Sequence, residues 1–310
     1  MLSERFGFLH EDEAACWVTA GLDVLWGIQV DACQRTVMSD RNALAWVSTA
    51  SGPMLAKWCV SEERFPRLAA LARLTSWLDD RGLPVPAPVA ALDGRVQVEG
   101  DGASLSVQRV VTGEHLDTTD FEHVREAGAV LARLHIALAQ YPHADQMTEL
   151  LSSPAPLASQ VTWWLDHAPD HVPAAVIERL RRLVAHAPAV ARPSQLVHGD
   201  FRSANVLCTG SDVAAVIDFE EARRDQPIAE LARSAVLLGT RFHDWGPVSF
   251  EVHRAFLDGY REVRELTWAE AKWWLVLLLW YSVLMIPAGE DPTGWEPAAV
   301  RLLHDIEQGA

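Results

Sequence analysis

His198-Gly199-Asp200, with Asn205 five residues after the aspartate and then Asp218-Phe219-Glu220, restricts this chain more than any other stretch of its 310 residues. The apolar pair Leu196-Val197 leads into the triplet, and the apolar run Val206-Leu207-Cys208 follows Asn205. Thr209-Gly210-Ser211-Asp212 then turns the chain back into Val213 to Asp218, a pattern that spells a small β-hairpin. Antiparallel pairing across that hairpin returns Asp218 to the side of Asn205, so two carboxylates and an amide oxygen converge.

Hard oxygen donors of this kind suit Mg²⁺, and a carboxylate a few residues away suits the orientation of an attacking hydroxyl. His-x-Asp, an asparagine five residues on and a later Asp-Phe form the catalytic-loop arrangement of kinases. Here the motifs read His-Gly-Asp and Asp-Phe-Glu. In that form the chain resembles the aminoglycoside phosphotransferase and choline kinase family of small-molecule kinases. The bland alternative is a polar hairpin in an ordinary α/β domain.

The resemblance implies an α+β, two-lobed, protein-kinase-like fold. An antiparallel sheet lobe would cover residues 1–111 and a mainly helical lobe residues 112–310, with a hinge at about 108–115. ATP would bind between them, GTP being left open, together with Mg²⁺. Asp200 would be the catalytic carboxylate, Asn205 and Asp218 the metal ligands, and Glu220 a further carboxylate near a second metal. The link from Glu221 to Pro227 leaves no room for the activation segment of a protein kinase, which favours a small acceptor.

Upstream, Glu11 to Ala20 reads as a short helix. Ile28 to Val37, Leu44 to Thr49 and Met54 to Val60 read as three antiparallel strands. In the resembled fold Lys57, on the third strand, reaches the donor phosphates. The loop between the first two strands lies over them. That loop has no glycine, so Ser39, Arg41 and Asn42 are the candidates for phosphate contact. A helix from Glu62 to Asp80 follows; it carries no acidic residue between Arg64 and Leu78, which leaves Glu63 as the candidate partner of Lys57. Arg95 to Glu99 and Leu105 to Val111 read as two more strands, after which the carbonyl of Arg109 and the amide of Val111 are placed to pair with adenine.

Thr119 with Glu122 predicts a capping box for a helix running to about Gln140. Pro173–Ala185, Ile228–Leu238, Phe250–Val263 and Trp268–Ile286 read as further helices, the last capped by Thr267. His135, at the end of the first of these helices, reads as a packing histidine. In related kinases the late helices wall the acceptor pocket, and here Arg202, His243, Asp244, Trp245, Glu270 and Trp273 are the candidate substrate contacts beside Asp200.

A net charge of −16 argues against a nucleic-acid partner, which needs a basic face. Aromatic and acidic residues together suit a cationic acceptor. The four cysteines show no metal-ligand spacing and read as buried free thiols of a cytoplasmic protein, with no export signal and no membrane span, either monomer or homodimer. Aminoglycosides, other natural-product antibiotics, choline-like amines, homoserine-like amino alcohols and sugars all remain open as acceptors. A catalytically inactive nucleotide-binding protein is the competing class, on account of the glycine-free loop and the misplaced helix glutamate.

Overall fold

The computed structural model describes residues 6–8, 10–39, 41–148, 154–190, 193–242 and 244–308. The chain divides into two compact units, Met1–Thr112 and Gly113–Ala310.

The first unit is built on a five-stranded antiparallel sheet of order β1-β2-β3-β5-β4. Its strands are β1 (Val30–Met38), β2 (Ala43–Thr49), β3 (Gly52–Cys59), β4 (Val98–Gly100) and β5 (Ala103–Arg109). Side chains alternate faces along a strand, so one residue in two enters the core. On β2 these are Ala43, Ala45 and Val47, and on β3 Met54, Ala56 and Trp58. They pack with Ala14, Val18 and Leu22 into one apolar cluster. Ala14 and Val18 lie on helix α1 (Glu11–Gly21), which continues into a wider turn, Leu22–Trp26. Trp58, 1% exposed, meets the rings of Phe6 and Phe8 edge to face and that of Trp17 at a tilt. The small Ala43, Ala45 and Ala56 leave room for these indoles.

Helix α2 spans Phe65–Asp79, with Pro66 in its first turn, where a missing N–H costs nothing. It starts beside Pro66, as that proline suggests, and not at Glu62, because Glu62–Arg64 form a separate tight turn.

The second unit is mainly helical. Helix α3 (Phe121–Leu138) is capped by Asp120, whose carboxylate accepts from the amides of Glu122 and His123. The Thr119–Glu122 capping box is therefore a correction: Thr119 instead bonds the Asp117 carboxylate, and the cap moves one residue on. Helices α4 (Ala144–Thr148), α5 (Leu157–Asp166) and α6 (Ala174–Ala185) follow. Further on come α7 (Pro227–Leu237), α8 (Phe250–Val263), α9 (Trp268–Leu284) and α10 (Trp295–Glu307). Helices α3 and α8 touch backbone to backbone. A Cβ at Gly128 would stand 2.1 Å from the Phe256 carbonyl oxygen, and one at Gly259 only 1.9 Å from that of Arg125. Among the described residues no helix is long and apolar enough to cross a membrane.

Two small sheets set the loop that carries the sequence motif. Strand β7 (Gln195–Val197) pairs antiparallel with β10 (Arg223–Asp225). Between them, β8 (Val206–Thr209) and β9 (Asp212–Val216) form the expected hairpin, with Val206 opposite Val216. A third strand, β6 (Glu114–His115), joins β8. All four cysteines are free; Cys16 is exposed, which corrects the expectation that all are buried.

Candidate active site

Three backbone devices hold the loop. Strand β7 ends at Val197 and delivers His198, which is fully buried. The Asp200 amide donates to His198 Nδ1 at 3.2 Å, so Nε2 carries the proton and donates to the Ile217 carbonyl at 3.1 Å. Burial pushes the His198 pKa down, consistent with that neutral tautomer. One imidazole thus ties the residue before Gly199 to the residue before Asp218. In addition, the Ile217 amide donates to the Asn205 carbonyl at 2.9 Å, which keeps Asp218 beside Asn205.

Gly199 explains why the motif reads His-Gly-Asp. Its φ is +88°, and a Cβ there would stand 2.0 Å from the Glu221 carbonyl oxygen. Both the left-handed backbone and the close approach exclude a side chain. Gly199→Ala is expected to displace the loop, lowering the melting temperature and abolishing activity together; differential scanning fluorimetry alongside an activity assay checks this. An unchanged melting temperature would mean that the crossing relaxes freely.

Asn205 is 5% exposed and donates from Nδ2 to both the Asp200 carbonyl oxygen, at 2.8 Å, and Asp200 Oδ2, at 2.9 Å. Both partners are acceptors, so the amide orientation is fixed and Oδ1 faces away from Asp200. Asp218 is exposed, takes the left-handed conformation at φ 66°, and makes no hydrogen bond among the described residues. A left-handed aspartate with an uncommitted carboxylate is a strained position of the kind found at functional sites. Asn205 Oδ1 and Asp218 are hard donors suited to Mg²⁺. Glu220 lies in the single turn Phe219–Glu221, half-buried.

Arginines gather round Asp200. Arg202 Nε donates to its Oδ2 at 3.1 Å, and Arg233 Nη2 lies 4.0 Å from its Oδ1. Arg233 and Arg223 both donate to the Gly199 carbonyl, the latter at 2.9 Å.

Beneath the loop sits Glu230 on α7, 2% exposed. It accepts from the amides of His198, at 3.1 Å, and of Gly199, and from His135 Nε2 at 2.8 Å. Burial opposes its charge, but the hydrogen bond and electrostatic influence of His135 and the Gly199 amide carry its pKa down to about 2. His135 Nδ1 in turn faces the Tyr260 hydroxyl at 2.7 Å. Sequence reasoning missed this pair. The available signal was an acid inside the apolar run Ile228–Ala232.

Other candidates fall as follows. Lys57 on β3 pairs with Leu44 and Ser106 and, between the buried Ala56 and Trp58, points to the face away from the apolar core. Ser39 spends its hydroxyl on its own turn, donating to the Asn42 carbonyl and accepting from the amides of Arg41 and Asn42. This makes a glycine-free turn possible. Arg41 is exposed, and Asn42 is 8% exposed. Glu63 is exposed in the turn ahead of α2. Arg109 ends β5 and donates to the Ser51 carbonyl at 3.0 Å; Val111 follows it at the end of the first unit.

Trp245 is 42% exposed, donates to the Phe242 carbonyl and carries the Arg202 guanidinium 5.5 Å from its ring centre. It lies in a two-residue strand, Asp244–Trp245, paired with Thr240–Arg241. His243 lies outside the described residues. Glu270 is a correction: it is fully buried, completes a capping box with Thr267 and pairs with Arg264 at 2.5 Å, so it does not face an acceptor. Trp273 is 1% exposed and donates to the Pro188 carbonyl, but one edge reaches a cavity of about 530 Å³ between Pro156, Pro188 and Gln226.

An antiparallel sheet unit followed by a helical unit bearing this loop defines the protein-kinase-like fold of small-molecule phosphotransferases. The model of the phosphotransferase enzyme family (APH) matches residues 39–274, and the chain belongs to that family. A homoserine kinase of Methylobacillus glycogenes is 31% identical over 212 residues, covering 65% of this chain and 61% of that protein. The chain spans about three fifths of the length of the first such relatives it matches. Among solved structures, a macrolide 2′-phosphotransferase from Brachybacterium faecium superposes with a TM-score of 0.64 at 16% identity, covering 96% of this chain and 94% of that one. An amicoumacin kinase, in complex with AMP-PNP, Ca²⁺ and its antibiotic, gives a TM-score of 0.59 at 14% identity, covering 96% of each chain. These two likenesses concern the fold.

Proposed function

We propose that this chain is an ATP-dependent phosphotransferase that phosphorylates a hydroxyl of a small molecule. One observation supports the reading: Asn205 spends its amide nitrogen on Asp200, which leaves its Oδ1 and the uncommitted Asp218 carboxylate available to hold a metal ion. In the proposed reaction the acceptor oxygen bonds the terminal phosphorus of ATP as the bridging bond to ADP breaks, and the hydroxyl proton passes to Asp200 or to solvent. Asp200 orients the hydroxyl; Asn205 holds Asp200 in register. Mg²⁺, held by Asn205 Oδ1 and Asp218, would neutralise phosphate charge, and Glu220 is a further candidate ligand. Lys57 is proposed to contribute to binding of the donor phosphates. Most of the rate gain is positioning and charge stabilisation.

The acceptor class follows less directly. The relatives of higher identity are homoserine kinases, at 26–31%, whereas the antibiotic phosphotransferases stand at 14–16%. That contrast favours a small amino alcohol over an aminoglycoside. Free thiols and an ATP requirement fit a cytoplasmic place. The test is transfer from ATP across a panel of hydroxylated amino acids, amino alcohols, sugars and antibiotics. Tight nucleotide binding with neither transfer nor hydrolysis would point to the inactive nucleotide-binding class instead.

A further inference from the structure

Arg202 is an odd neighbour for a catalytic carboxylate. Its guanidinium is anchored at one corner only, by Nε on Asp200 Oδ2, and lies against the Trp245 indole. Nη1 is buried without a hydrogen-bond partner, and Nη2 makes no hydrogen bond among the described residues. A buried guanidinium N–H left unsatisfied is costly, so a ligand that accepts from it binds with most of that cost already met. Arg233, 4.0 Å from the other Asp200 oxygen, and Arg223 add positive charge behind it. Arg223 is itself paired with Asp225, so of the three guanidinium groups it is Arg202 whose outer nitrogens are left without a partner among the described residues.

We infer that Arg202 is a two-pronged oxyanion-binding group at the candidate active site. Its free edge matches the paired oxygens of a carboxylate or phosphate, which a lysine cannot match. The inference rests on the phosphotransferase reading for its place in a reaction, and it alters the acceptor expected: an acid-bearing hydroxyl compound suits this loop better than a polycation. Two sources of the oxyanion share this chemistry, the carboxylate of an acceptor and the terminal phosphate of the donor.

The full chain, Arg202→Met and Arg202→Lys are compared in two assays, after thermal unfolding has confirmed that each is folded. The first is calorimetric titration with inorganic phosphate, which needs no turnover. Binding should weaken about tenfold or more in Arg202→Met and only partly recover in Arg202→Lys. The second is transfer to L-homoserine and to 3-aminopropan-1-ol, which keeps the hydroxyl and the amine and lacks the carboxylate. An acceptor source raises KM for homoserine alone. A donor source lowers kcat with both acceptors and removes the preference for ATP over ADP. If the unaltered chain transfers to no member of the wider acceptor panel and does not hydrolyse ATP, the phosphotransferase reading fails, and the phosphate titration still decides the role of Arg202. Phosphate affinity and kinetics within twofold of the unaltered chain in Arg202→Met, or full recovery in Arg202→Lys, would overturn the inference.

Discussion

Asp200→Ala should lower phosphoryl transfer by roughly 10²–10⁴-fold while leaving Mg·ATP affinity within a few-fold. The side chain is half-buried and held by Asn205 on one oxygen and by two arginines round it, so its position is fixed before any acceptor arrives. Removing it deletes the group proposed to orient the hydroxyl but neither of the two proposed metal donors. Arg202 and Arg233 also lose their partner, and repulsion between them should raise the KM of a cationic acceptor more than that of an acidic one. Steady-state kinetics with nucleotide titration separate these effects. Transfer at near the unaltered rate would show that another group orients the acceptor.

Glu230→Ala should be the most destabilising single change in the second unit outside the helix contacts. Glu230 accepts from two successive loop amides and from His135, all buried. Its removal leaves three buried donors without a partner, each at a cost of about 1–3 kcal/mol. Glu230→Gln keeps the volume but cannot accept at both oxygens. Its amide N–H₂ would face a backbone N–H, so the loop should shift and activity should fall with stability.

The pH dependence has a defined sign. The folded pKa, about 2, lies below the ordinary 4.5 of a glutamate. The stabilisation from this group is therefore complete above about pH 4.5 and is lost as pH falls through 4.5 toward 2. Chemical denaturation of the unaltered chain and Glu230→Gln at pH 7 and pH 4 checks this: the gap between the two should narrow at the lower pH. A gap that widens would mean that Glu230 is not the charged partner.

The candidate site was legible where its geometry is local. Asp200, Asn205 and Asp218 lie within one loop and one hairpin, so spacing and turn chemistry alone bring them together. Gly199 was visible as a residue type but not as a necessity, because the Glu221 carbonyl it approaches comes from the single turn Phe219–Glu221, which no sequence signal places against it. His135 and Glu230 are separated from the loop they brace by tens of residues, and no periodicity links helices α3 and α7. Glu270 shows the opposite failure. Thr267-x-x-Glu270 is a helix-start signature, and reading the acid as a pocket wall ignored the cap that its own spacing specifies. The antiparallel run β1-β2-β3 was legible from β-rich stretches and the turns between them, whereas the pairing of β5 with β3 was not. The β6–β8 and β7–β10 pairings, of two and three residues, were not.

Metal-dependent nucleotide binding tests the whole account most directly, because it needs no knowledge of the acceptor. Manganese titration by paramagnetic resonance, in the presence of a non-hydrolysable ATP analogue, should show a bound ion in the unaltered chain. In Asp218→Ala its affinity should fall roughly tenfold or more, with the fold intact by thermal unfolding. The same manganese affinity in both proteins would contradict the assignment of Asn205 and Asp218 to a shared metal.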